Sequence, residues 1–572
     1  MKRSTYVWII ILIFIVIISI AVISLLFYQF RTAPSVQSDS YLEIPLSGEI
    51  HERAAPNIFS FMTERLPLSM HDIWWNLRKA KKDTRIKGVI LRLGLMQCDW
   101  AKADEIRNLI LDFRRSGKKA FAYIDESFDF DKEYYLATAC DQIILHPEGM
   151  LIVNGIGGYV PFFKQALKNL GIEAEVEKIG EYKTAYNMFI EDEFTSAHRE
   201  MLDSIYKNIY DHYVDVAAQA RGKPSEHIRN LLNQGVFQGN AAQESSLIDG
   251  LLYEDEFREL LKGENKKFNR ISHAEYVKIS PSSLGLNRGR KIALIYGTGP
   301  IVTGKGAYSV MGSRTVSEWI RKAKDDDSIA AIVFRVDSPG GSVVASDTIW
   351  REVSLAKKKK PVIVSMSDLA GSGGYQVSMA AHSIVAHPQT LTGSIGVIFA
   401  KFNFAGLYRK LGITAEKIQY GDRADMFTTF RSATQEEREL LDQHIRQVYQ
   451  HFITKVAAGR NMSKEKVDDL GQGRVWTGAQ AVELGLADEL GGLSQAIQIA
   501  KEKAGIPLEE EVRLQVWPRK ISLWDALMSG RFMAGNGFLH KIPGPAGEIY
   551  SLFQKLEHEF GWALMPFWIA PN

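Results

Sequence analysis

Apolar runs alternate with amphipathic stretches along most of the chain, and this pattern predicts alternating strands and helices. In the second half, the run IALIYGTGPI at 292–301 predicts a strand ending in a glycine turn, and AAIVFRVD at 330–337 predicts a buried strand. The segment 342–358 has helical spacing, and PVIVSMS at 361–367 predicts a further strand. Such alternation is typical of parallel strands covered by helices, so the sequence predicts an α/β fold.

The second half of the chain repeats the first. His146 recurs as His387, an offset of 241 residues (387 minus 146), and Leu170–Ile172 recurs as Leu411–Ile413 at the same offset. Neighbouring matches drift by two residues, which indicates small loop insertions. The repeat and the composition predict the following divisions: a first α/β repeat at 40–262, a polar linker at 263–290, a second α/β repeat at 291–510 and a C-terminal extension at 511–572.

The N-terminus carries an apolar run of 22 uncharged residues from Val7 to Tyr28. At about 1.5 Å per residue such a helix crosses a bilayer. Lys2 and Arg3 precede the run and favour a cytoplasmic N-terminus, although Arg31 weakens this bias. A cleaved signal peptide is the alternative, but the run is long and lacks a convincing small-residue cleavage site. We therefore expect residues 1–31 to form a cytoplasmic stub and one transmembrane anchor, at about 7–28.

Composition argues against several classes of protein. The net charge is +2, with 46% hydrophobic and 24% charged residues, which argues against a disordered chain, a polytopic membrane protein and a broadly basic nucleic-acid binder. The two cysteines, Cys98 and Cys140, are too few for a disulfide scaffold or a four-cysteine zinc site, and buried free thiols are expected. We expect no metal, cofactor or nucleic-acid partner.

The two repeats differ where a nucleophile would lie. Ser372 follows a predicted strand, opens a helix and is flanked by glycines, whereas the first repeat has Asp131 at this position. Such a turn exposes a hydroxyl beside the positive end of a helix, although a helix-capping serine is the plain alternative. Gly340 and Gly341, in the run DSPGGS, offer backbone N–H groups to an oxyanion, and the matching run of the first repeat has no glycine.

A nucleophilic serine needs a base, and no histidine stands in an evident triad arrangement. The first repeat contains Lys183, which faces Ala424 in the second. Each repeat therefore lacks the group that the other keeps, which favours one Ser–Lys pair divided between two copies. A solvated surface lysine is the alternative. To act as a base, Lys183 must be buried away from carboxylates, so Glu181 is expected to point elsewhere.

Together, the motifs DSPGGS, GSGGY, LTGSIG and EYKTA resemble the signal peptide peptidase A (protease IV) family in its long two-repeat bacterial form. The family often has Ala-Ser-Gly-Gly-Tyr-Tyr around the nucleophile, where this chain has Gly371 and Gln376. The resemblance implies tandem Clp-protease/crotonase-like domains and a tetramer. It also implies a membrane-anchored serine endopeptidase that degrades released signal peptides and other hydrophobic peptides.

The resemblance also assigns roles to residues. Ser372 would be the nucleophile, Lys183 the general base and Ser394 the group that orients the lysine. The N–H of Gly373, with that of Gly340 or Gly341, would form the oxyanion hole. By the same resemblance the protein belongs to a bacterial inner membrane, with its catalytic domains on the periplasmic side.

Two other functions fit parts of the sequence. A catalytically inactive membrane scaffold that binds peptides would keep the fold without needing Ser372 or Lys183. An acyl-CoA hydratase or isomerase is suggested by fold analogy alone. The aromatic C-terminus, WALMPFWIAPN, predicts packing against a neighbouring subunit or domain, with contact at a membrane surface as the alternative.

Overall fold

The computed structural model describes residues 34–54, 67–125, 130–262, 267–519 and 562–564, together with Phe14. Within this part of the chain, no helix has both the length and the apolar character needed to cross a bilayer. The anchor expected at about 7–28 falls outside the described residues, apart from Phe14, and stays a prediction.

The first repeat alternates strands with helices. Its elements are, in chain order, β1 (Ser40–Glu49), α1 (Met70–Lys82), β2 (Ile86–Gln97), α2 (Trp100–Arg114), β3 (Lys119–Ile124), α3 (Asp131–Ala137), β4 (Gln142–Leu145), β5 (Met150–Val153), α4 (Lys164–Leu170), β6 (Glu173–Ile179), α5 (Asn187–Ile190), α6 (Ser196–Arg221), α7 (Ser225–Gln234), β7 (Gly235–Gln238), α8 (Gly239–Glu244), β8 (Gly250–Leu251), α9 (Glu254–Leu261), β9 (Asn269–Ser272) and α10 (His273–Val277), followed by a 3₁₀ turn at Pro281–Leu284. A parallel sheet has the order β8-β4-β3-β2-β1-β9, and β5 and β7 form an antiparallel pair.

The second repeat has the same plan. Its elements are β10 (Lys291–Thr298), β11 (Ile301–Val302), β12 (Met311–Gly312), α11 (Ser313–Asp325), β13 (Ile329–Ser338), β14 (Gly340–Ser342), α12 (Val343–Lys357), β15 (Val362–Gly371), α13 (Gly373–Ser378), β16 (Ser383–Ala386), β17 (Leu391–Gly393), β18 (Val397–Asn403), α14 (Ala405–Lys410), α15 (Gln435–Arg460), α16 (Lys464–Leu470), β19 (Val475–Thr477), α17 (Gly478–Glu483), β20 (Glu489–Leu490), α18 (Leu493–Lys503) and β21 (Arg513–Trp517), and beyond it lies β22 (Trp562–Leu564).

The strand orders of the two repeats correspond. In the second sheet β20, β16, β15, β13, β10 and β21 lie side by side and parallel, as β8, β4, β3, β2, β1 and β9 do in the first. The antiparallel pair of β17 and β19 matches that of β5 and β7. The long helices α6 and α15 each have 26 residues. The α/β fold and its tandem duplication are therefore confirmed.

The repeats extend further than their composition suggests. β9 lies within the expected linker, yet it pairs with β1 at the edge of the first sheet and buries only Ile271. β21 lies within the expected C-terminal extension, yet it pairs with β10 at the matching edge of the second sheet. An edge strand that buries little apolar surface can have a polar sequence, and for this reason the sequence of β9 resembles that of a linker.

A third, mixed sheet joins the two halves of the molecule. Its order is β12-β11-β14-β22-β18-β6, so that β6 of the first repeat pairs antiparallel with β18 of the second, from Ile179 opposite Val397 to Glu173 opposite Asn403. β22 lies between β14 and β18 and runs antiparallel to both. One apolar core continues from the first repeat to a face of the second sheet.

Candidate active site

Ser372 occupies a strained turn between β15 and α13. Its backbone has φ +53° and ψ −111°, a region that residues other than glycine rarely adopt. The N–H of Ser372 donates to the carbonyl of Gly393 (2.8 Å), which helps to hold the turn. The following residue must be glycine, because a Cβ on Gly373 would lie 2.5 Å from Ser346 Oγ. Backbone strain of this kind is concentrated at functional sites in proteins.

Lys183 reaches this turn through the third sheet. The pairing of β6 with β18 carries the chain past the second repeat, and Gly180 turns it inwards with φ +103°. The N–H of Tyr182 then donates to the carbonyl of Gln472 (2.9 Å). Gly473 packs so closely that a Cβ there would lie 2.5 Å from the backbone nitrogen of Lys183. The loop containing Gln472 and Gly473 therefore fixes the lysine, a role that its sequence did not indicate.

The lysine amine meets two serines. Lys183 Nζ lies 2.9 Å from Ser372 Oγ, 2.9 Å from Ser394 Oγ and 3.1 Å from the carbonyl oxygen of Ser394. All three residues are completely buried. The contact between Lys183 and Ser372 joins residues 189 positions apart in one chain. The nucleophile candidate and the base candidate of the sequence analysis therefore lie together, with Ser394 beside them.

Burial controls the charge of this amine. It lowers the pKa of Lys183 to about 7, and burial is the one cause of the shift. Glu181, two residues away, is exposed. A carboxylate on the amine would have held the proton in place, so an apolar, serine-lined position is what a lysine base requires.

The glycines of the second repeat gather around Ser372. The Cβ position of Gly373 lies 3.2 Å from Gly340 Cα and 3.2 Å from the backbone nitrogen of Gly341. Gly340 and Gly341 have φ of +100° and +151°, and the N–H of Gly340 donates to Ser338 Oγ (3.2 Å). The three candidates for the oxyanion hole are therefore in mutual contact, and Ser338 is an additional neighbour.

The gap between β14 and β18 accepts an extended chain. β22 lies in this gap, with Leu564 opposite Gly340 and Trp562 opposite both Ser342 and Ile398. β14 contains the glycines beside the nucleophile, and β18 begins three residues after Ser394. A peptide held in this way is bound through its backbone, with little dependence on its side chains.

Two aspartates, Asp337 and Asp368, connect the strands that lead to the site with the first repeat. Asp337 Oδ1 accepts the N–H of Leu369 (3.2 Å), and Lys102 of the first repeat donates to Asp337 Oδ2 (2.8 Å). Asp368 accepts the N–H groups of Asp99 (3.1 Å) and Lys102 (2.8 Å). The first repeat therefore holds the ends of β13 and β15, which lead to the glycines and to Ser372. No sequence pattern predicted this contact, because single charged residues at strand ends are common.

The matching position of the first repeat is filled by carboxylates. Asp131, the counterpart of Ser372, accepts the backbone N–H groups of Asn154 (3.0 Å) and Gly155 (3.2 Å). Glu133 accepts the N–H of Met96 (2.7 Å). In the first repeat, these carboxylates accept the nearby backbone N–H groups. The turn therefore has a structural role there.

Two histidines of the second repeat make contacts away from Ser372. His382 Nδ1 accepts the N–H of Val362 (3.1 Å), and His387 Nδ1 lies 2.7 Å from Asp104. Cys98 and Cys140 are free thiols. Among the described residues, no group of three or more histidine, cysteine or acidic side chains is arranged to hold a metal ion.

Comparison with known proteins identifies the family. The model of peptidase family S49 matches residues 112–267 and 354–507, one segment in each repeat. The chain belongs to peptidase family S49. It is 38% identical over 506 residues to the chloroplastic serine protease SPPA of Arabidopsis thaliana, covering 86% of this chain and 74% of that protein. It is 30% identical to Protease 4 of Haemophilus influenzae, covering 76% and 73%.

Membership of family S49 makes the protein a serine protease, and the predicted resemblance to signal peptide peptidase A is confirmed. Among solved structures, this chain is similar to ClpP1 from Listeria monocytogenes over 35% of its length and 91% of that chain, at 16% identity and a TM-score of 0.23. Because that score is low, the fold described above rests on the strand order alone. The Clp-protease/crotonase-like label stays a prediction.

Proposed function

We propose that this S49 peptidase is a Ser–Lys endopeptidase, with Ser372 as nucleophile and Lys183 as general base. The observation that carries the proposal is the 2.9 Å contact between Lys183 Nζ and Ser372 Oγ in a fully buried site. A pKa of about 7 leaves much of the amine neutral near neutral pH. An ordinary lysine, with a pKa of about 10.4, would be almost entirely protonated there.

The chemistry follows from the geometry. Neutral Lys183 takes the proton of Ser372 Oγ as this oxygen attacks the substrate carbonyl. The new oxyanion is met by the N–H of Gly373 and that of Gly340 or Gly341, and one such donor is typically worth about 3 kcal/mol. The lysine ammonium then protonates the leaving amine. Water hydrolyses the acyl-enzyme with Lys183 again as base, while Ser394 keeps the amine in line.

The substrates proposed are hydrophobic peptides, including signal peptides already released from their proteins. The gap between β14 and β18 supports a peptide substrate, because it holds the extended strand β22 through backbone pairing. An anchor at about 7–28 would hold the site beside a bacterial inner membrane, on the periplasmic side, where such peptides are left.

Assembly into a ring of copies, a tetramer by resemblance, is supported by two segments that pair with no strand in the described part of the chain. The 241-residue offset relates β6 to residues 414–420 and β18 to residues 156–162, and neither segment is a strand here. Tyr159, Ile418 and Tyr420 are among the most exposed large apolar side chains of the described residues. We propose that 414–420 of one copy pairs with 156–162 of the next, as β6 pairs with β18 within each chain.

Labelling with a fluorophosphonate tests the proposed function. In the fragment from about residue 35 onward, we expect labelling at Ser372, located by mass spectrometry, and its loss in a folded Lys183→Ala variant. Labelling that survives this substitution would exclude Lys183 as the base. Failure of the folded, assembled wild type to react would overturn the proposal in favour of a peptide-binding scaffold.

A further inference from the structure

A cavity of about 250 Å³ lies beside the nucleophile. Three segments that leave the catalytic centre line it. Gln376 is one helical turn after Ser372 and donates its N–H to the carbonyl of Ser372 (2.9 Å); Val343 directly follows β14; and Val397 begins β18. A peptide extended between β14 and β18 would run beside Val343 and Val397, which adjoin those strands and line the cavity. The cavity is therefore placed to take the side chain of the residue whose carbonyl is attacked.

The walls of this cavity are apolar. Val397 and Phe452 are buried, and Val343 and Val448 are further apolar residues of the lining. Its volume suits one medium-sized side chain. A pocket lined by these four residues alone would select an aliphatic residue, with discrimination limited to what one methylene provides.

The polar lining changes this selection. Gln376 is 5% exposed, and its Nε2 donates to Asp347 Oδ1 (3.3 Å). Within the described part of the chain, no side chain donates a hydrogen bond to Gln376 Oε1. Burying this oxygen against an aliphatic side chain would leave an acceptor without a donor, which is costly. A ligand side chain that carries an N–H group removes that cost.

Charge limits the choice further. Asp347 forms an ion pair with Lys455, whose ammonium also lies 4.2 Å from the centre of the Trp350 ring. The pair contributes no net charge to the cavity. A cationic ligand end meets Lys455 and an anionic end meets Asp347. His451 is exposed and belongs to the same lining.

We propose that this cavity selects an uncharged side chain with an aliphatic stem and a hydrogen-bond-donating end, such as glutamine, at the acyl position of the substrate. Gln376 is the selecting residue and the Asp347–Lys455 pair excludes charge. The inference rests on the proposed function and adds a substrate preference to it. It concerns this chain in particular, because the related motif has tyrosine where Gln376 stands.

The test uses peptides that differ only at the acyl position, with glutamine, leucine, glutamate or lysine there. For the wild type we expect kcat/KM for glutamine to exceed that for leucine about ten-fold, the size expected when a buried acceptor loses its donor. Glutamate and lysine should be poorer than glutamine. Equal rates for glutamine and leucine, or selectivity that follows a neighbouring position of the peptide, would overturn the inference.

Substitutions test whether Gln376 and Asp347 cause the preference at the acyl position. Gln376→Met keeps the volume and removes the acceptor, so leucine should become the preferred residue, with the loss for glutamine seen in kcat/KM. Asp347→Asn leaves Lys455 without its counter-ion, so glutamate should gain relative to lysine. Gln389→Met changes a buried glutamine outside the cavity and should leave the wild-type ranking intact. An unchanged ranking in Gln376→Met would overturn the assignment.

Fluorophosphonate labelling of Ser372 separates the two proposals. The small probe needs the nucleophile and not the cavity, so every folded variant should react as the wild type does. Normal labelling with no acyl-position preference overturns this inference alone. Absence of labelling in the wild type overturns the proposed function itself.

Discussion

The amine of Lys183 lies within 3.1 Å of three oxygen atoms, and all three belong to serines. None of these oxygens carries a charge, so they orient the amine and do not hold its proton. Burial then sets the charge balance and lowers the pKa of Lys183 to about 7. At the residue scale, the low pKa of Lys183 therefore follows from burial beside uncharged oxygens, with no carboxylate among the described residues to stabilise the ammonium.

The pH dependence of activity follows from this pKa. Because the proposed base, Lys183, would act only when deprotonated, kcat/KM should rise with pH, reach half its maximum near pH 7 and then level off. Steady-state assays from about pH 5 to about pH 9, with chemistry shown to be rate-limiting, would measure it. A profile that is flat across this range would contradict a lysine base.

Replacing Lys183 should abolish activity but increase the stability of the folded protein. The pKa of Lys183 is lower in the folded state than in the unfolded state, so folding opposes its protonation. This cost is largest below about pH 7 and vanishes as the pH approaches the unfolded value of about 10.4, at roughly 1.4 kcal/mol per pKa unit. Lys183→Met should abolish peptide cleavage yet raise Tm at about pH 7, with the gain shrinking towards about pH 10. A gain independent of pH would point to packing alone.

Ser394 is a positioning residue in this scheme. Ser394→Ala removes the hydroxyl that lies 2.9 Å from Lys183 Nζ, so kcat should fall by about ten-fold or more, with little change in KM. The midpoint of the pH profile should also move, because the amine loses a polar neighbour. Ser394 has φ +50°, so Ser394→Gly serves as the matched variant that relieves backbone strain. A wild-type pH profile in both variants would exclude this role.

At the scale of elements, the site depends on one exchanged strand. β6 leaves the first repeat and completes a sheet of the second, and this exchange carries Lys183 to Ser372. The counterpart segments, 156–162 and 414–420, find no such partner within the described chain and expose Tyr159, Ile418 and Tyr420. Two segments that lack a strand partner and expose apolar residues are suited to forming a strand pair between copies.

Disrupting these segments should reduce the size of the assembly. Tyr420→Lys, combined with Ile418→Lys, places charge where a strand pairing is proposed, so the mass in solution should fall towards that of one chain. Light scattering coupled to gel filtration measures this. Leu508→Lys, at a residue that is 53% exposed outside both segments, should leave the mass unchanged. A wild-type mass in the double variant would exclude this interface.

Some of these elements could be predicted from the sequence and others could not. The repeat and the positions of Ser372 and Lys183 follow from comparing two copies of one scaffold, because a copy that loses a function keeps the register of its fold. The exchange of β6 could not be predicted, because a strand's sequence indicates its two faces and not which sheet it joins. The loop at Gln472 and Gly473 was missed for a similar reason: its contacts with Lys183 are made by backbone atoms.

At the scale of the whole molecule, a buried ionic network joins the two repeats. Arg335 of the second repeat donates to both carboxylate oxygens of Glu52 (2.9 and 3.0 Å) and to Glu105 (2.5 Å), and all three side chains are buried. His387 lies 2.7 Å from Asp104 in the same region. Burial alone would lower the pKa of His387, but these two acidic neighbours from the first repeat, Asp104 and Glu105, raise it to about 9.

Breaking this network should loosen the contact between the repeats. Arg335→Met leaves Glu52 and Glu105 buried without their cation, which typically costs about 3–5 kcal/mol. Arg92 is the counterpart of Arg335 in the first repeat and is partly exposed, so Arg92→Met should cost much less. Urea unfolding of both variants makes the comparison. Equal losses of unfolding free energy would exclude a special role for the buried arginine.

The same network sets an upper pH limit for stability. The pKa of His387 is raised in the folded state, so its contribution is complete below the unfolded value of about 6.5 and is lost as the pH rises through about 9. Tm should therefore fall as the pH rises from about 6.5 to about 9, and His387→Gln should flatten that fall. An alkaline loss of Tm that is unchanged in His387→Gln would assign it to other groups.

The division of the active site between two repeats also affects when a newly made molecule can act. In the proposed mechanism, a ribosome that has finished the first repeat has delivered the base but not the nucleophile, and 189 residues separate the two. Neither half-chain holds a complete pair of reactive groups, so hydrolysis waits until the second half has been synthesised and has docked on the first. Under the proposed mechanism, the synthesis and docking of the second repeat therefore delay the onset of proteolysis.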